Sequence, residues 1–223
     1  MFDIEKKEIL QGNIALKFQN QYELCSTFMR LQEYYESPIE GVHNTLFSLE
    51  QYMDLYAKKY GNFTYTKDWT GFNIPDKAVR KFFKVFDKKL LQKEKYLKKI
   101  LEENLYKRKK FYVIGYFGKT VNSWEKPHYR FNVFSHEIAH GLFYLNQNYK
   151  NKTLRLIKKI PFEPKLKMMY KLEEWGYNPK VFEDEIQAYL ATSSPKELEN
   201  SFDISLRRIS KPFSELFLNY VNS

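Results

Sequence analysis

Five consecutive residues, His136-Glu137-Ile138-Ala139-His140, carry the side chains best suited to chemistry. On a helix, residues four apart leave the same face one turn apart, so both imidazoles project together. Two nitrogens so placed can take two corners of a tetrahedral metal site. Glu137 lies about 100° around the helix from His136, beside such a metal rather than on it. There it can take a proton from a metal-activated water and later deliver it to a leaving group. Zinc lowers the pKa of such a water to about 7, which makes the chemistry available at neutral pH. With four histidines and twenty glutamates in 223 residues, chance gives about 0.006 occurrences of this spacing. Ile138, Ala139, Leu142 and Leu145 make the rest of the segment apolar. Polar and charged groups on a buried helix need a partner. The plain alternative is a helix whose His and Glu are surface groups or a satisfied polar cluster.

His136-Glu137-Ile138-Ala139-His140 resembles the motif of the zincin metallopeptidases. The resemblance is confined to these residues, and it implies a zinc ion held between two helices beside an edge strand. Catalytic zinc normally has three protein ligands. The metzincin pattern requires Gly at 143 and His at 146, where this chain has Phe143 and Asn146. No histidine follows His140, and Cys25 lies far upstream in a context unlike that of the deformylases. A downstream carboxylate remains, as in gluzincin-like enzymes. Residues 181–190 (VFEDEIQAYL) place three acids at the start of a predicted helix, which the helix dipole tolerates. Glu185 shares a face with Val181, Ala188 and Tyr189, and an acid among apolar neighbours most needs a cation. Glu185-Ile186-Gln187-Ala188 is also similar to the ligand helix of several gluzincin-like families, although Tyr189 stands where their second acid usually is. Glu183, Asp184, Glu173, Glu174 and His128 remain alternatives.

A peptidase must also stabilise an oxyanion. Tyr189 is the first candidate donor, with Tyr144, Tyr170 and Tyr177 in competition. Residues 111–117 (FYVIGYF) read as a strand, either an edge for an extended substrate or an ordinary core strand. His128 and His43 read as surface or loop residues. Residues 68–73 (DWTGFN) form a dense polar-aromatic loop that either shapes a cleft or anchors the first half of the chain.

The elements that must position these groups are mostly helical. Apolar spacing predicts helices over 21–36, 48–59, 132–146, 164–176 and 180–192, and one or two more over 196–221 around Pro212. Residues 147–160 continue or follow the motif helix. A short strand is expected at 13–18, and a strand followed by a loop within 62–75. Residues 76–110 read as one long basic amphipathic helix, with an apolar face interrupted at Lys93 and Glu94. The whole is expected to be a single α+β domain: an N-terminal α/β part over 1–75, the long helix, and a zincin-like catalytic part over 111–223.

Composition narrows the function classes. The apolar content of 43% with 18% aromatics builds a core and excludes wholesale disorder. One cysteine excludes a disulfide framework. No secretory leader or membrane span is expected, so a cytoplasmic location is. The net charge of +10 invites a nucleic-acid reading. Residues 77–110 alone hold 14 Lys or Arg against four Asp or Glu, so the surplus belongs to that segment. It lacks a recognition motif and commits one face to packing, which makes nucleic acid the lesser expectation. The leading expectation is a zinc-dependent metallopeptidase acting on a peptide or protein. The others are a binding protein using the basic segment and a non-catalytic zincin-like metal module.

Overall fold

The computed structural model describes residues 3–118 and 133–222. The protein is mixed α/β, mostly helical, with one four-stranded sheet. The chain divides into two compact units, Met1–Lys119 and Thr120–Ser223. His128 and the residues around it lie outside the described residues. Among those described, no helix is long and apolar enough to cross a membrane.

In the first unit the sheet comprises β1 (Ile4–Leu10), β2 (Asn13–Phe18), β3 (Gly71–Pro75) and β4 (Tyr112–Phe117), in the order β1-β2-β4-β3. β1 and β2 form an antiparallel hairpin whose turn places Gly12 at φ +82°, a conformation that favours glycine. Charged side chains along β1 leave it an exposed edge and mask it as a strand in the sequence. β4 runs parallel to β2 and antiparallel to β3, so both of its edges are paired. The reading of 111–117 as a free edge for an extended substrate is therefore corrected. It is an interior strand, buried at Tyr112 through Tyr116.

Helix α1 (Gln21–Glu36) packs on this sheet. Asn20 caps it, its side chain accepting from the Glu23 N–H, and Ser37-Pro38 stops it. Gly115 makes the close approach possible, because a Cβ there would lie 2.6 Å from Phe28 Cε2 and 2.9 Å from Leu24 Cδ1. α2 (Leu49–Tyr60) begins at a Ser48–Gln51 capping box and ends at Gly61. A single helical turn, α3 (Tyr65–Asp68), precedes β3, so the strand in 62–75 comes last rather than first.

The expected long helix over 76–110 is three helices: α4 (Asp76–Val85), α5 (Gln92–Ile100) and α6 (Glu102–Lys107). The break has a physical cause. Glu94 is buried, accepts the backbone N–H of Leu91 at 2.7 Å, and receives Arg30 Nε of α1 at 2.8 Å. Arg30 also donates to the carbonyls of Phe47 and Lys89. Ending α4 at Phe86 and restarting at Gln92 turns Glu94 inward while returning Leu97 and Leu101 to the core. Many of the lysines of this segment are exposed, and others are paired, as Lys93 is with Glu23 at 2.8 Å and Lys98 with Asp87 at 2.8 Å.

The second unit, among its described residues, is all helix: α7 (Val133–Leu145), α8 (Gln147–Lys158), α9 (Phe162–Glu174), α10 (Phe182–Thr192), α11 (Pro195–Phe202) and α12 (Arg207–Val221). α10 is central and packs against α7, α8, α9 and α12. Buried Ala139 on α7 and buried Ala188 and Ala191 on α10 are small, which keeps these backbones close. The C-terminal helices separate at Asp203, in the left-handed region at φ +53°, and Pro212 lies inside α12.

Glu94→Ala removes the partner of a buried arginine. We expect a loss of about 3–5 kcal/mol in urea unfolding of the full chain. A change below about 1 kcal/mol would show that the ion pair does not hold α1 to α5.

Candidate metal centre

α7 and α10 bring the site together. His136 and His140 leave one face of α7, as their spacing requires. Glu185 enters from the first turn of α10. Its Oε2 lies 3.5 Å from His136 Nε2, and its Oε1 lies 3.6 Å from His140 Nε2. One ligand atom from each of the three residues falls within 4.8 Å of the others. Zinc–ligand bonds of about 2.0–2.1 Å give tetrahedral edges of about 3.4 Å, so both Glu–His separations fit such an ion. The surroundings fit as well. Glu185 is buried, and among the described residues its Oε2 has no hydrogen-bond partner. A buried carboxylate oxygen in that state is costly unless a cation meets it.

The imidazole of His140 is fixed from behind. Its Nδ1 lies 2.8 Å from Asp184 Oδ1, an acceptor, so Nδ1–H donates and Nε2 is left free to coordinate. Asp184 Oδ1 also accepts from Gln187 Nε2 at 3.0 Å, and Gln187 Oε1 accepts from the buried Tyr149 hydroxyl at 2.9 Å. This chain runs from α8 through α10 to α7 and sets the orientation of His140. Asp184 is thus placed behind a histidine rather than among the three grouped ligand atoms.

The electrostatics favour positive charge at the centre. Burial alone would lower the pKa of His140, but Asp184, Glu185 and Glu137 outweigh it and push it up to about 10. Burial alone would raise Glu185, yet the facing His140 and His136 hold it below its ordinary value. A divalent cation meets the same demand with both histidines neutral.

Glu137 is buried on α7 and close enough to affect the ionisation of His140, Tyr177 and Tyr189. Tyr189 packs edge-on against His136, with ring centroids 4.7 Å apart, and its hydroxyl lies 3.5 Å from that of Tyr177. Burial raises the pKa of both phenols, so both remain proton donors. Of the competing tyrosines, Tyr177 joins the site, while Tyr170 is exposed. Glu183, Glu173 and Glu174 are exposed and are not among the grouped ligands. Sequence reasoning missed Gln187 and Tyr149. The three-residue spacing of Asp184 and Gln187 on a helix was the signal for the first, and no local signal marks the second.

Comparison with known proteins finds no matching family model, no matching curated protein and no matching solved structure.

Asp184→Ala should leave the three ligand atoms in place and weaken zinc binding by about 10–100-fold in a chelator competition. An unchanged affinity would show that the bond from His140 to Asp184 does not orient a ligand.

Proposed function

We propose that the second unit is a zinc-dependent hydrolase of the metallopeptidase type, with His136, His140 and Glu185 as metal ligands and Glu137 as general base and acid. The observation that supports this most is the buried carboxylate of Glu185, whose two oxygens face the two imidazoles of the HEIAH segment and whose Oε2 has no hydrogen-bond partner among the described residues. A zinc ion held by these groups supplies Lewis acidity and lowers the pKa of water to about 7.

The chain's own residues supply the rest. Glu137 sits one residue from His136 on α7, outside the ligand group, where its carboxylate accepts the proton of the attacking water. The same carboxyl then returns that proton to the departing amine, so Glu137 ends each turnover ionised. Tyr189 and Tyr177 are protonated phenols at one side of the site, and they donate hydrogen bonds to the oxygen on which negative charge develops. Asp184 and Gln187 keep His140 in the tautomer that presents Nε2. The peptide bond as target rests on the resemblance of the HEIAH segment to zincins. Because β4 is paired on both edges, a substrate strand cannot add to it.

Glu137→Gln should keep about one zinc per chain and lose about 10²–10⁴-fold of the rate on an unstructured protein substrate such as casein. Wild type that retains no metal when purified without chelator contradicts the proposal. So does Glu137→Gln with full activity.

A further inference from the structure

A cavity is walled wholly by residues of the first unit, none of them part of the metal centre. It has a volume of about 330 Å³ and is walled by Tyr52, Tyr56 and Tyr60 of α2, Glu33 of α1, Asp68 of α3 and the adjacent Trp69. The three tyrosines are four residues apart, so α2 presents them as one stripe. Tyr52 and Tyr56 are buried, whereas Tyr60 and Trp69 are 51% and 39% exposed and form the mouth. Trp69 is held firmly at that mouth, since its backbone carbonyl accepts from Gln21 Nε2 at 3.0 Å and from Cys25 Sγ at 3.2 Å.

Two carboxylates serve this cavity. Asp68 Oδ2 accepts from the hydroxyls of Tyr56 and Thr64, both at 2.6 Å, which keeps it ionised below its ordinary value. Glu33 is only 4% exposed, and its Oε2 is buried with no hydrogen-bond partner among the described residues. The Tyr52 and Tyr65 hydroxyls face it without reaching hydrogen-bond geometry. Burial raises the carboxyl of Glu33, and Ser37, Tyr52, Tyr65 and the charge of Lys59 only moderate that rise. Lys59 Nζ is engaged at the rim, where it donates to the Pro38 carbonyl at 3.0 Å and lies 5.2 Å from the centre of the Tyr60 ring. An ammonium group therefore already rests on the aromatic rim.

We propose that this cavity binds a small organic ammonium ion that retains at least one N–H, with the cation against the tyrosine stripe and the N–H donated to Glu33 Oε2. Ring faces attract such cations, and a buried carboxylate oxygen without a donor supplies the complementary charge and acceptor. The volume is at the small end of the range of about 300–1,000 Å³ that ligand pockets occupy, which suits an alkylammonium side chain or a free small amine. Requiring an N–H distinguishes primary to dimethylated amines from quaternary ones.

The test titrates the full chain with butylammonium, N,N-dimethylbutylammonium, butyltrimethylammonium and 1-butanol, following the backbone amide resonances of Glu33, Tyr56, Asp68 and Trp69. The two ions with an N–H should bind about tenfold or more tightly than either the quaternary ion or the alcohol. Glu33→Gln should remove that preference. Tyr60→Ala, at an exposed position, should weaken both N–H ions about threefold and decides the matter if Glu33→Gln fails to fold. Equal binding of the alcohol, no localised shifts with any ion, or an unchanged preference in Glu33→Gln would overturn the proposal. If Glu33→Gln does not fold, unchanged binding in Tyr60→Ala would do so.

Discussion

The second unit depends on how one buried negative charge is met. Glu185 carries its carboxylate into the interface of α7 and α10, where little water reaches it. Two imidazoles face it, both held by α7 rather than by a flexible loop. Small residues at Ala139 and Ala188 are needed for that approach, and the Asp184–Gln187–Tyr149 chain is needed to keep His140 turned the right way. An apolar residue at 185 would pack more cheaply. The charge is kept where it is most expensive, and that expense is what a cation-binding site requires.

How much of this the sequence contains depends on the range of the interaction. His136, Glu137 and His140 lie within five residues of one helix, and their common neighbourhood follows from helical geometry alone. Glu185 is legible through its apolar helix face, although the pairing of α7 with α10 is not. Asp184 illustrates the limit. Its place next to Glu185 keeps it an alternative ligand in the sequence, and only the position of His140 Nδ1 assigns it to the rear of the site. In the first unit, the helix boundaries at Ser48, Gly61 and Ser37-Pro38 are local and readable. The break between α4 and α5 is not, because its cause is Arg30, sixty-four residues away. Strand order is likewise non-local, so nothing within 111–117 tells an interior strand from an edge. β1 is hidden by its own charges.

The concentrated basicity of 77–110 has a structural account. Its helices place apolar side chains inward, and several cations serve as clamps. Arg80 donates to the carbonyls of Asn104, Leu105 and Arg108, which secures the end of α6, and Arg108 reaches Glu8 of β1. The remaining lysines coat solvent-facing surface. The charge that first suggests nucleic acid is therefore distributed between packing and solvation. The chemistry-bearing residues are concentrated at the HEIAH helix and, independently, around the Glu33 cavity.

The central claim concerns the donor set around a metal, and X-ray absorption at the zinc edge reads that set directly. A zinc ion held by His136, His140 and Glu185 should show only nitrogen and oxygen donors at about 2.0–2.1 Å, including two imidazoles, with no sulfur. A sulfur shell at about 2.3 Å would place the metal at Cys25 instead, and spectra without imidazole scattering would remove His136 and His140 from the site.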